Sequence, residues 1–329
     1  MKQQAFEREH KPLWAHYRAL LDRLETPRRR RASASGIERF PHLYRQVCGH
    51  YALARSRRYS PGLTEDLHAM VQRGYRALYR RRVDWPRRGL SFLATEFPRT
   101  LRRHAAVFWL ACVLFFGPMA AMGWGCYRDG ALIYSLLDTE TISGLESMYD
   151  PTNRKPGRET ERQSDTDFAM FGYYIRNNVG IAFRTFAGGM LLGIGSVLIL
   201  GFNGLVIGAA GGHLSRLGYG ETFWPFVSGH SALELTAIAV AGAAGLLLAA
   251  AVLAPGRRRR VDALRENARE AVRLVTGALA MLVLAAAIEA FWSAESGVAT
   301  PTKYLFGTVL WLLVALYLTL AGRGARNAP

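Results

Sequence analysis

Two carboxyl side chains, Glu234 and Glu289, lie inside long apolar runs, and His230 stands four residues before Glu234. On a helix that spacing puts His230 and Glu234 on one face. A carboxylate at membrane depth costs about 3 kcal/mol or more, so it faces a bundle interior or a water-filled cavity and takes a partner. Three chemistries fit such a group: a hydrogen-bonded lock between helices, a proton or ion pathway, and a metal or hydrolytic site with His213 as a further ligand. The metal reading lacks the second histidine of His-Glu-x-x-His. No metal, cofactor or catalytic residue is therefore expected, and the lock is preferred. Arg184 could reach the headgroups or neutralise Glu234 or Glu289, and pairing is favoured because a buried charge needs a partner. Asn203 completes the expected polar centre of His230, Glu234, Glu289, Arg184 and Asn203, since Asn203-Gly204 reads as a turn at membrane depth.

Long apolar segments must position these residues. Residues 105–127 are long enough to cross a hydrocarbon core of about 30 Å. The chain is then polar over 128–177, with more acid than base, and reads as a surface loop outside the membrane. From Val179 to Gly212 it is almost uninterruptedly apolar, which is too long for one span. The Asn203 turn divides this stretch into 179–200 and a short, glycine-broken piece at 203–219 that either crosses or turns back. Further spans are expected at 232–253, 271–292 and 304–321, with Arg257 to Arg260 in a cytoplasmic connection. Five or six spans result, both termini being cytoplasmic.

Residues 1–104 are different in kind. They carry 24 Lys and Arg against 9 Asp and Glu, nearly all of the +17 excess of the whole chain. Apolar residues recur at three- and four-residue steps in three stretches, before Thr26-Pro27, over about 36–58 and over about 63–82. Three such helices can bury a modest core as an antiparallel bundle. Arg28 to Arg31 form a basic turn after the first. Residues 89–104 set Leu90, Phe92, Leu93, Phe97 and Leu101 against arginines, the make-up of an interfacial helix in the headgroup layer. The domains are therefore 1–104, basic and cytoplasmic, and 105–322, in the membrane.

The basic region reads through the positive-inside rule and through attraction to anionic lipid. It shows no zinc-finger spacing, RNA-binding aromatic motif or glycine clamp, so no nucleic-acid partner is expected. Cys48, Cys112 and Cys126 are too few and scattered for a disulfide framework or a zinc cage. The first apolar run starts only after His104, which argues against a cleavable signal peptide. No phosphate loop, nucleophile elbow or serine–histidine–aspartate set occurs, so an ATPase activity is not expected. Gly189 and Gly193, then Gly204, Gly208 and Gly212, then Gly242 and Gly245 form small-residue faces that let helices approach closely. Whether those seams lie within the chain or between copies of it is open.

The pattern resembles the stage II sporulation protein M family of bacterial polytopic membrane proteins. Carrying the likeness are Asn177-Asn178 followed by Phe183, Phe186, Gly189 and Gly193, then Asn203-Gly204-x-x-x-Gly208. It continues through His230-x-x-x-Glu234-Leu235-x-Ala237-Ile238 to Gly245, and through Ile288-Glu289-Ala290-Phe291. Ser231 and Thr236 depart from the family's commoner residues. The resemblance covers about 105–320 and implies a multi-pass protein of the bacterial inner membrane that acts as a scaffold. Implied partners are membrane lipids and other membrane proteins, with a MoxR-type AAA+ ATPase system or cell-wall enzymes as candidates, and a homo-oligomer is allowed. An all-α membrane scaffold is thus the first reading, a transporter or channel the second, and an intramembrane metal-dependent hydrolase the third.

Overall fold

A computed structural model describes residues 2–25, 37–79, 85–152, 164–295 and 297–324. Helices make up nearly all of it, and no strand occurs among the described residues. The chain divides into two compact units between Trp85 and Pro86, earlier than the expected domain boundary at 104.

The first unit holds three helices, α1 (Gln3–Glu25), α2 (Phe40–Ser56) and α3 (Pro61–Tyr79). Pro61 opens α3, where its fixed φ suits the first helical turn and its missing N–H costs nothing. The apolar stripes meet in a core of Phe6, Trp14, Tyr17, Leu20, Leu21, Phe40, Val47, Leu67 and Met70. Tyr17 stacks on Phe40 with ring centroids 5.3 Å apart. Gly74 lets α3 close on this stack, because a Cβ there would collide with the Tyr17 hydroxyl. The Gln3 side chain bonds to both the hydroxyl and the backbone N–H of Ser60, fixing the start of α1 to the start of α3. The basic turn at Arg28 to Arg31 lies outside the described residues.

Among the described residues five helices are long and apolar enough to cross a membrane: Ala105–Arg128, Ile194–Arg216, Ser231–Leu253, Arg260–Ser293 and Thr300–Leu320. In chain order the helices after α3 are α4 (Trp85–Ser91), α5 (Phe97–Arg103), α6 (Ala105–Arg128), α7 (Thr139–Tyr149) and α8 (Ser164–Ala187). There follow α9 (Ile194–Arg216), α10 (Gly220–Ser228), α11 (Ser231–Leu253), α12 (Arg260–Ile288) and α13 (Thr300–Leu320). A π-helical turn, Glu289–Ser293, extends α12, so the charged stretch at 261–270 and the span after it are one helix.

The structure corrects two expectations. Asn203-Gly204 is not a turn but lies inside α9, where Asn203 Nδ2 donates to the Ile199 carbonyl at 2.7 Å. The break comes earlier, at Gly188–Gly193, where Leu192 and Gly193 take φ of +54° and +85°. Only glycine adopts such a φ without strain, and Gly193 is therefore the hinge between α8 and α9. The expected loop at 128–177 is also largely helical. Asp138 caps α7 by accepting from the Thr141 N–H at 2.8 Å, and α8 begins at Ser164, leaving 153–163 outside the described residues. Arg99 and Arg102 turn toward α13. Arg102 donates to the carbonyls of Leu318 and Ala321, and Arg99 to that of Gly322, so α5 satisfies the carbonyl end of α13.

Small residues hold the membrane unit together. Against α6, a Cβ at Gly204, Gly208 or Gly212 would strike the carbonyls of Phe115, Met119 and Gly123 respectively. One at Gly189 would strike the Gly245 carbonyl, and one at Gly242 the Leu200 side chain. The glycine faces are thus seams within one chain. Helix α11 runs through the middle, with Ala232, Ala237, Ala241 and Ala244 fully buried.

Candidate functional site

His230 precedes the first residue of α11, and Glu234 lies on its first turn. Glu289 begins the π-helical turn that ends the α12 span. Packing of α11 on α12 brings the three together, with one ligand atom of each within 4.8 Å of the others. His230 Nε2 is 3.8 Å from Glu234 Oε2 and 4.0 Å from Glu289 Oε1. Its other nitrogen, Nδ1, hydrogen-bonds with Ser293 Oγ at 3.1 Å, which holds the ring in one orientation. The π-turn matters here, because its extra residue per turn sets Glu289 and Ser293 on the side that faces His230.

Lys303 completes the group. It lies on the first turn of α13 and is 1% exposed. Its ammonium donates to the Ser293 carbonyl at 2.8 Å, the same serine whose hydroxyl meets His230. Three helices thus meet around Ser293, with two carboxylates beside the histidine and the lysine on the serine carbonyl, all of them packed away from solvent except for part of Glu234. Phe226 covers the histidine edge to face at 5.4 Å. Such an arrangement can hold helices in register through charge-assisted contacts. The donor set of one imidazole and two carboxylates is also one that a divalent cation accepts.

The other expected members are elsewhere. Arg184 is exposed and donates to the Gly180 carbonyl of its own helix, so it neutralises neither Glu234 nor Glu289. Asn203 spends its amide on its own helix. His213 joins no cluster with His230, because its Nε2 meets Glu146 Oε1 at 2.7 Å and ties α9 to α7. Lys303 escaped the sequence reading because the last span was taken to begin at 304, which left the lysine at its edge. A signal existed: a lysine at the head of an apolar run needs a partner as much as a glutamate inside one does.

The family model for stage II sporulation protein M matches residues 112–294. The chain belongs to that family. The stage II sporulation protein M match begins within α6 and ends just past Ser293, so it contains His230, Glu234 and Glu289 and stops short of Lys303. A second model, a domain of unknown function (DUF8413), matches residues 4–80, the three-helix unit. Searches of curated proteins and of solved structures found no match.

Proposed function

We propose that the chain is a bacterial inner-membrane scaffold whose polar centre fastens α11, α12 and α13, leaving the outer faces and the amino-terminal unit to bind partners. The single observation behind this reading is the buried network at Ser293, whose hydroxyl hydrogen-bonds with His230 and whose carbonyl accepts from Lys303. A pathway residue needs access to water on at least one side. A cavity of this unit touches Ser231 and Leu235 on α11, and neither His230, Glu234 nor Glu289 lines it. A centre of this kind acts as a register device, the best-attested use of buried polar groups. In this reading the basic amino-terminal unit and the carboxyl terminus lie in the cytoplasm, the partners are other membrane proteins, such as a MoxR-type AAA+ system or cell-wall enzymes, and no reaction is catalysed.

A second reading has one observation in its favour. The 3.8 and 4.0 Å separations between His230 and the two carboxylates exceed hydrogen-bond length, leaving room for a shared cation or proton among them. One experiment separates the two. Full-length protein and its Glu234→Gln variant are reconstituted in liposomes, and proton and cation flux is recorded beside the thermal midpoint. The scaffold expects no flux above empty vesicles and a lowered midpoint in the variant. Flux in the wild type that the variant loses at unchanged midpoint would replace it with the pathway.

A further inference from the structure

The membrane unit contains a second feature, which touches α11 at Ser231 and Leu235, the residues that follow His230 and Glu234. Helices α6, α9, α10, α11 and α13 surround a cavity of about 750 Å3. Gly208 and Gly211 line it, and Trp124, Trp224 and Trp311 stand around it. Two of the indole N–H groups are already used, Trp224 on Ser215 Oγ at 3.0 Å and Trp311 on Ser231 Oγ at 3.3 Å. Trp224 and Trp311 therefore present ring surface to the cavity and not donors, and its lining is mostly apolar.

One end of the cavity is charged. Tyr127 and Ser215 line it there, and the next residues in the chain are Arg128 and Arg216. Arg128 lies over the Trp124 ring, its guanidinium carbon 6.0 Å from the centroid. Arg216 is held beside it by donating to the Arg128 carbonyl at 2.9 Å. Both are exposed, and among the described residues no acid lies within ion-pair distance of either.

An apolar cavity among membrane-crossing helices, with two arginines next to its lining residues Trp124, Tyr127 and Ser215, suits an amphiphile with an anionic head. Guanidinium groups recognise phosphate by paired hydrogen bonds. Size argues against a partner helix seated inside, since a span about 10 Å across and 30 Å long displaces more than twice the cavity's volume. A single hydrocarbon chain fits the range usual for enclosed apolar ligands, roughly 300–1,000 Å3. We infer that the cavity binds one acyl chain of a membrane phospholipid, with Arg128 and Arg216 on its headgroup phosphate.

The test is native mass spectrometry of the full-length protein, delipidated in detergent and then titrated with phosphatidylglycerol or with diacylglycerol of the same chains. Two variants fill the cavity from opposite walls, Ala120→Trp and Thr308→Trp, both at exposed lining positions, so the failure of one to fold leaves the other. The double variant R128A/R216A removes the phosphate ligands. The wild type is expected to hold one tightly bound phosphatidylglycerol and to prefer it to diacylglycerol by about tenfold or more. Each filled variant should lose that molecule at unchanged thermal midpoint, while R128A/R216A keeps the chain and loses the preference. Equal retention of phosphatidylglycerol by the wild type and a folded filled variant would overturn the inference, as would equal binding of diacylglycerol by the wild type. A lipid-free dimer that Ala120→Trp converts to monomer would also overturn it, and assign the cavity to a second copy of the chain.

Discussion

The two units of this chain are held together by opposite means. The amino-terminal unit packs large rings, Phe6, Trp14, Tyr17 and Phe40, and keeps its ion pairs at the surface, where Arg73 meets Asp22 and Glu25. The membrane unit packs alanine and glycine around α11 and, besides surface pairs such as Arg258 with Glu266, buries charges as well, with Glu234 and Glu289 at His230 and Lys303 on the Ser293 carbonyl. In water, burial of apolar area drives helices together, so big side chains stabilise most. Lipid tails are as apolar as leucine, and that drive is missing between spans. Close backbone approach and polar contacts then take over, the first needing glycine and the second a closed set of partners.

The comparison breaks most readily at Lys303. Removing one member of a buried charged group leaves the rest uncompensated, at a cost of about 3–5 kcal/mol. Lys303→Met should therefore abolish stable protein or lower the thermal midpoint sharply in nanodiscs. Arg184→Met, which removes an exposed cation of the same unit, should change it by less than about 0.5 kcal/mol. Equal effects would restore Arg184 as the counter-charge. Next in size is the seam of α6 and α9. Gly208→Leu drives a side chain into the Met119 carbonyl, and overpacking of this kind costs about 3 kcal/mol, since backbone cannot step aside. Gly117→Ala in the same α6 meets nothing within 4 Å and should be neutral or stabilise by up to about 1 kcal/mol, as read by detergent melting curves.

The amino-terminal unit should respond to acid. Burial, and then the neighbouring His10 ring stacked 4.0 Å away, hold the His50 pKa below the usual histidine value. Trp14 Nε1 donates to His50 Nδ1 at 3.1 Å, a bond that protonation at that nitrogen would forbid. The unfolded chain binds this proton more readily than the folded one, so the stabilisation is complete above the unfolded pKa near 6.5. It drains away as pH falls from there toward the folded value. Protection of α1 and α2 amides from hydrogen exchange, taken relative to the intrinsic rate at each pH, should fall between pH 7 and pH 5, and His50→Gln should flatten that dependence. The smallest effect belongs to the surface. Arg73→Met should cost the unit less than about 1 kcal/mol, with the difference fading in high salt, because its acids are exposed.

Much of this was legible in order of residues alone. The apolar steps of α1, α2 and α3 locate those helices because period and hydropathy are properties of neighbours in sequence. The spans α6, α11 and α13 follow from length and composition in the same way, and the His230–Glu234 spacing already puts both on one side of α11. The Asn203-Gly204 pair misled because α9 absorbs it, its amide satisfied four residues back and its glycine turned against α6. Helix or turn at such a pair depends on what packs beside it, which no local window contains.

By itself the sequence determined an all-helical chain with a basic helical front, several spans and two carboxylates that demand partners. The tertiary structure alone decided which partners they have. How far each helix is rotated about its axis is set by the seams that its neighbours close, and that rotation turns Lys303 inward to Ser293 and leaves Arg184 outside. The same seams keep the glycines within one molecule and leave an apolar cavity beside Arg128 and Arg216.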